Sequence, residues 1–155
     1  MNEVKDTLTI ADTSGKVLFI GIDGTLSPTR LKSHVRLNGE EYDDSFVNRT
    51  PSKFMQNLIN TCNAKKVISI SHCASDEDIQ NKRVWLSYYY PTINDSIFIS
   101  PDVSKADKIL NYCNEHELYI LQDILFIDDY IPALLEAERK KIPACHLSNL
   151  LDWLC

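Results

Sequence analysis

The stretch Lys16–Leu26, KVLFIGIDGTL, decides the fold. Val17, Leu18, Phe19 and Ile20 form an unbroken apolar run that a glycine-containing turn brings to an end. A short run of this kind has both faces buried, as a central strand of a parallel sheet does. The turn then carries Asp23, Gly24 and Thr25: an acid, a residue free to adopt positive φ, and a hydroxyl. In an open α/β sheet, ligands bind beyond the carboxyl ends of the strands. A carboxylate delivered there is a candidate site residue. The same triplet also reads as a tight turn whose aspartate caps its own backbone.

Downstream of this stretch, apolar runs alternate with helical patterns. Thr50 and Pro51 read as an N-cap followed by a first-turn proline. Phe54, Leu58, Ile59 and Cys62 then recur at helical spacing, which predicts a helix over 51–63. Val67 to Ser71 is a second strand. Ser75-Asp76-Glu77-Asp78 opens a helix, with a hydroxyl cap and acids that suit the helix dipole. That helix runs to about Tyr90 and stops before Pro91. Ile97 to Ile99 is a third strand. Ser104 caps a helix over about 105–117, with Ile109, Leu110, Tyr112 and Cys113 facing inward. Ile124 to Ile127 is a fourth strand ended by Asp128 and Asp129, Ile131 to Arg139 a helix, Ala144 to His146 a fifth strand, and Ser148 to Leu154 a final helix. Strands that alternate with helices predict an α/β fold, a mainly parallel five-stranded sheet covered on both faces. Upstream, Thr7 to Ile10 reads as an extra edge strand. The excursion 27–50 is polar and carries the acidic cluster Glu40-Glu41-Tyr42-Asp43-Asp44. It reads as a solvated acidic loop, with a functional lid as the alternative.

The chain has 155 residues, the length of a single domain with one substantial core. Its net charge of -6 argues against a broad nucleic-acid or anionic-membrane surface. There is no run long enough to span a membrane and no signal-peptide pattern. The five cysteines form no CxxC pair and read as reduced thiols of a cytoplasmic protein.

Parallel strands share one rim at their carboxyl ends. This gathers Asp23, Gly24 and Thr25 from the first strand, Ser71 and His72 from the second, and Asp128 and Asp129 from the fourth. Lys105 joins them from the helix after the third. Three carboxylates on one rim repel one another unless a cation sits among them, and hard oxygen ligands suit Mg²⁺. A serine hydroxyl, a lysine and turn N–H groups suit phosphate oxygens. Acids for a metal beside donors for a phosphate make a phosphoryl-transfer arrangement. Taken singly, Asp128-Asp129 reads equally as a helix cap, Ser71 as a satisfied turn hydroxyl and Lys105 as a solvated helix residue.

In this order the motifs resemble the haloacid dehalogenase-like (HAD) superfamily, most of whose members are Mg²⁺-dependent phosphatases and phosphotransferases. GIDGTL resembles the first motif, DxDGT after an apolar strand. ISIS resembles the second, a strand ending in Ser or Thr. Lys105 in SKADKIL resembles the third, and LFIDD before YIPALLEA the fourth. The match covers about residues 16–147 of a single domain 1–155. The short spacing between motifs is similar to that of small members with little or no cap, so 27–50 would be a loop or a minimal cap. The resemblance implies a three-layer α/β/α Rossmannoid sandwich. It implies Asp23 and Lys105 as catalytic groups, and Gly24, Thr25, Ser71 and Lys105 as the phosphate cradle. It implies Mg²⁺ on Asp23, Asp128 and Asp129, and a small phosphorylated metabolite or nucleotide as ligand.

One position departs from the pattern. Where the family carries the aspartate that attacks phosphorus, this chain has Gly21, which offers neither a nucleophile nor a metal-binding carboxylate. Three readings stay open. The first is a phosphohydrolase that uses a water oriented by the metal or by Asp23. The second is a non-catalytic protein that binds a phosphate ligand, or a protein partner through 27–50. The third is an ordinary phosphatase disabled by replacement of its aspartate. His72 and Cys73, as a substitute nucleophile pair, compete with plain packing and hydrogen bonding.

Overall fold

A computed structural model describes residues 13–28 and 49–151. The elements in chain order are β1 (Val17–Gly21), α1 (Lys53–Thr61), β2 (Lys66–His72), α2 (Asp76–Tyr89) and β3 (Asp95–Ile99). There follow α3 (Lys105–Glu115), α4 (Ile120–Asp123), β4 (Ile124–Asp128), α5 (Ile131–Arg139), β5 (Ala144–His146) and α6 (Leu147–Leu151). The strands form one five-stranded sheet in the order β3-β2-β1-β4-β5. Every pairing is parallel. The α/β fold expected from the sequence is therefore the observed one, and β1 is the central strand. The expected strand at Thr7–Ile10 and most of the 27–50 excursion lie outside the described residues.

Successive side chains of a strand point to opposite faces, and the two cores divide accordingly. Leu18 and Ile20 of β1 join Leu125 and Ile127 of β4 in one core, which α1 and α2 cover with Met55, Ile59, Trp85 and Leu86. Val17 and Phe19 join Ile124 and Phe126 in the other, which α3 and α5 cover with Ile109, Tyr112, Ala133 and Ala137. Phe19 and Phe126 are fully buried. Each contributes about 1.5–3 kcal/mol through the apolar surface it removes from water.

Several bounds differ from the sequence expectation. The α1 cap is Ser52, not Thr50: its hydroxyl accepts from the Met55 N–H at 3.2 Å, so Pro51 precedes the helix. Tertiary contacts place that cap. The Ser52 N–H donates to the Leu26 carbonyl at 2.9 Å, and the buried Tyr90 hydroxyl donates to the same carbonyl at 2.6 Å. β3 starts early, at Asp95, because pairing of Ile68 with Asp95 extends the ladder beyond the apolar residues. The short α4 was not expected, and α6 begins at Leu147. Trp85 and Tyr90 are buried, whereas Tyr88 is exposed. Cys62, Cys73, Cys113 and Cys145 are free thiols. No helix among the described residues is long and apolar enough to cross a membrane.

Candidate functional site

All five strands run the same way, so Gly21, His72 and Asp128 end on one rim. The loop after β1 is closed on itself. The Gly24 N–H donates to the Ser27 carbonyl at 2.7 Å, and the Thr25 N–H donates to the Ile22 carbonyl at 3.2 Å. Gly24 has φ +81°, and a Cβ there would lie 1.9 Å from Asp129 Oδ2. Both the left-handed backbone and the carboxylate against it require glycine.

Gly21 faces Asp128, the last residue of β4. A Cβ on Gly21 would lie 2.7 Å from Asp128 Oδ1, 2.8 Å from Cγ and 2.9 Å from Oδ2. The Asp128 carboxylate thus fills the space that a side chain at position 21 would need. It is 1% exposed. Its Oδ2 accepts from Lys105 Nζ at 2.7 Å. Its Oδ1 accepts from the N–H groups of Asp129 at 2.8 Å and Tyr130 at 3.3 Å. Burying a carboxylate is costly unless it is paired and hydrogen-bonded in this way. Ser104 aims Lys105 by capping α3, accepting from the Asp107 N–H at 3.2 Å.

Asp129 lies beside Asp128 and over Gly24. Thr25 Oγ1 donates to its Oδ1 at 3.3 Å, and His146 Nε2 donates to its backbone carbonyl at 3.0 Å. Burial, reinforced by the neighbouring Asp128 carboxyl, pushes Asp129 up to about 6 from the ordinary 3.8. Between those two values the folded chain holds a proton that the unfolded chain has released. Stability therefore falls as pH rises from about 4 to 6. Asp129→Asn is expected to flatten this decline and to be more stable relative to the parent at pH 7.5 than at pH 4. Urea titrations at the two pH values check it; an unchanged difference would mean that Asp129 is not strained by its neighbour.

The third acid, Asp23, lies in a different subsite. Its half-exposed carboxylate accepts from Lys82 Nζ at 3.0 Å on one oxygen and pairs with the Arg49 guanidinium at 2.5 Å on the other. Burial alone would raise its pKa, but Lys82 and Arg49 outweigh that and hold the carboxyl below its usual range. Lys82, on α2, is 3% exposed. Its ammonium also donates to Ser71 Oγ at 2.9 Å and to the His72 carbonyl at 2.9 Å. Sequence reasoning missed both cations. A signal existed for one of them: Lys82 precedes Trp85 and Leu86 by three and four residues, so it lies on the helix face that carries the two buried apolar side chains. A cavity of about 490 Å³ opens on Asp23, Arg49, His72, Ser75, Asn81 and Lys82.

The expected residues thus gather in three groups. Asp128, paired to Lys105, lies against Gly21, Asp129, held by Thr25, lies against Gly24, and Asp23 meets Ser71 through Lys82. His72 and Cys73 form no nucleophile pair. His72 Nε2 donates to the Val103 carbonyl at 2.7 Å, and burial raises the Cys73 thiol above its ordinary value.

The donor set does not fit a divalent cation as it stands. No group of three or more His, Cys, Asp or Glu residues among those described could hold a metal ion. Lys105 and two backbone N–H groups take the Asp128 carboxylate, and Asp23 turns towards Lys82 and Arg49. Position 21 supplies no side-chain oxygen.

No family model matches the sequence, and no curated protein matches it. A solved structure does match: the N-terminal part of the protein BF1531 from Bacteroides fragilis, containing a phosphatase domain and complexed with Mg. The TM-score is 0.57 at 13% identity, over 98% of this chain and 42% of that one. The present chain therefore spans less than half the length of that protein part. At this identity the likeness shows the fold alone: a parallel five-stranded α/β sheet covered by helices.

Proposed function

We propose that this chain is a phosphohydrolase-type HAD-like domain that binds the phosphate group of a small metabolite or nucleotide without forming an aspartyl-phosphate. The observation that carries this reading is at Gly21, where the Asp128 carboxylate, paired to Lys105, occupies the space of the missing side chain. Covalent catalysis requires an attacking oxygen held in line with phosphorus, and position 21 has none. Attack by a water activated by Asp23 is disfavoured too. A carboxylate that two cations hold below its ordinary pKa is a poor proton acceptor near neutral pH.

What remains suits recognition of an anion. Lys82 and Arg49 line the cavity, with Ser71 behind Lys82, and Thr25 and Lys105 lie against the acid pair. Because the carboxylates present do not form a metal site, no step is assigned to Mg²⁺. Calorimetric titration with inorganic phosphate and a panel of phosphomonoesters tests the reading. Saturable binding at one site is expected. No detectable heat, together with an unchanged ³¹P linewidth for every ligand, would refute it.

A further inference from the structure

We propose that Lys82, with Arg49, is the cation pair that takes the phosphate group, and that the Asp23 carboxylate is its stand-in in the ligand-free chain. This rests on the phosphate-binding reading above and names the residues and the ligand class.

A buried ammonium is costly unless oxygens surround it. Two of the oxygens on Lys82 belong to fixed parts of the rim. Ser71 is 1% exposed, and the His72 carbonyl ends β2. The third is the Asp23 carboxylate, whose side chain is 49% exposed. The cation is therefore anchored and its anion exchangeable. Asp23 offers one oxygen to Lys82 and the other to Arg49, as a bidentate anion would. A phosphate dianion in its place keeps both charge-assisted bonds and has a third oxygen for the Ser71 hydroxyl. That hydroxyl now donates only over 3.3 Å, to the His72 carbonyl.

The cavity beyond sets the class of ligand. Its volume suits a small metabolite. Glu77 and Asp78 line it as well, and Asp78 lies 3.6 Å from Lys82. These acids repel additional negative charge, whereas Ser75 and Asn81 offer hydrogen bonds. The site therefore fits a single phosphate on a hydroxylated or amino-bearing skeleton rather than a polyphosphate. Because protein cations supply the positive charge, binding needs no divalent metal.

The test is calorimetric titration of inorganic phosphate into the parent chain, Lys82→Met and Asp23→Asn, each with EDTA and with Mg²⁺. Thermal melts confirm that the variants fold. The parent is expected to bind equally in both buffers. Asp23→Asn is expected to bind at least about tenfold more tightly, because the competing anion is gone, and Lys82→Met at least about tenfold more weakly. Pyrophosphate is expected to bind more weakly than phosphate. The two substitutions act in opposite directions, so a fault in folding cannot imitate the pattern. Unchanged or weakened binding by Asp23→Asn, unchanged binding by Lys82→Met, an Mg²⁺ requirement or tighter binding of pyrophosphate would each overturn this assignment and leave the wider phosphate-binding reading standing. No phosphate binding by any of the three proteins would refute both.

Discussion

Lys105→Met is expected to destabilise the chain by about 3–5 kcal/mol, the cost of leaving a buried charge without its partner. The Asp128 carboxylate is 1% exposed and Lys105 is 9% exposed, with 2.7 Å between their charged atoms. Two backbone N–H groups would remain on Oδ1, but Oδ2 would face an apolar side chain. Denaturant unfolding measures the loss. Asp128→Asn in the Lys105→Met background removes the charge that the methionine leaves unpaired. The double variant is therefore expected to recover much of the stability. If Lys105→Met unfolds like the parent, the ammonium does not neutralise Asp128 and the picture of a self-paired rim is wrong.

Gly21→Asp is expected to make the protein respond to Mg²⁺. The new Cβ would lie within 3 Å of the Asp128 carboxylate, so that group must shift. Gly21→Ala isolates this steric part, about 1–3 kcal/mol of overpacking. The aspartate adds a third carboxylate beside Asp128 and Asp129, and the rim then holds the cluster of acids that a hard cation favours. Without Mg²⁺ the variant should melt well below the parent. At about 100 times the dissociation constant, Mg²⁺ should restore about 2.7 kcal/mol, roughly 5–10 °C in melting temperature for a chain of this size. The parent should show no such shift. Equal Mg²⁺ responses in the two proteins would mean that the carboxylate at position 21 is not what the metal site lacks.

The strands were legible because apolar runs such as VLFI and ILFI have both faces buried, and the parallel sheet follows from their alternation with helices. The bounds of α5 and β5 match the sequence reading because an amphipathic pattern and a proline at the helix start fix α5 locally. The N-terminus of α1 was not legible, because contacts from Leu26 and Tyr90 select Ser52 over Thr50. At the site, Asp23, Ser71, Lys105, Asp128 and Asp129 were visible as polar residues at the ends of elements. Lys82 was not, because a lysine in mid-helix is ordinarily solvated; only its phase relative to Trp85 and Leu86 marked it. Gly21 showed in sequence as a missing group. That the Asp128 carboxylate fills the space is a fact of three dimensions.

The most direct test of the central claim is phosphate release by the unmodified chain, with and without Mg²⁺, over aryl phosphate, sugar phosphate and nucleotide substrates, beside a binding titration on the same preparation. Saturable phosphate binding and no release above the uncatalysed background are expected. Release that rises in step with purification and requires Mg²⁺ would contradict it, and would mean that this rim hydrolyses phosphoesters with a nucleophile other than a side chain at position 21.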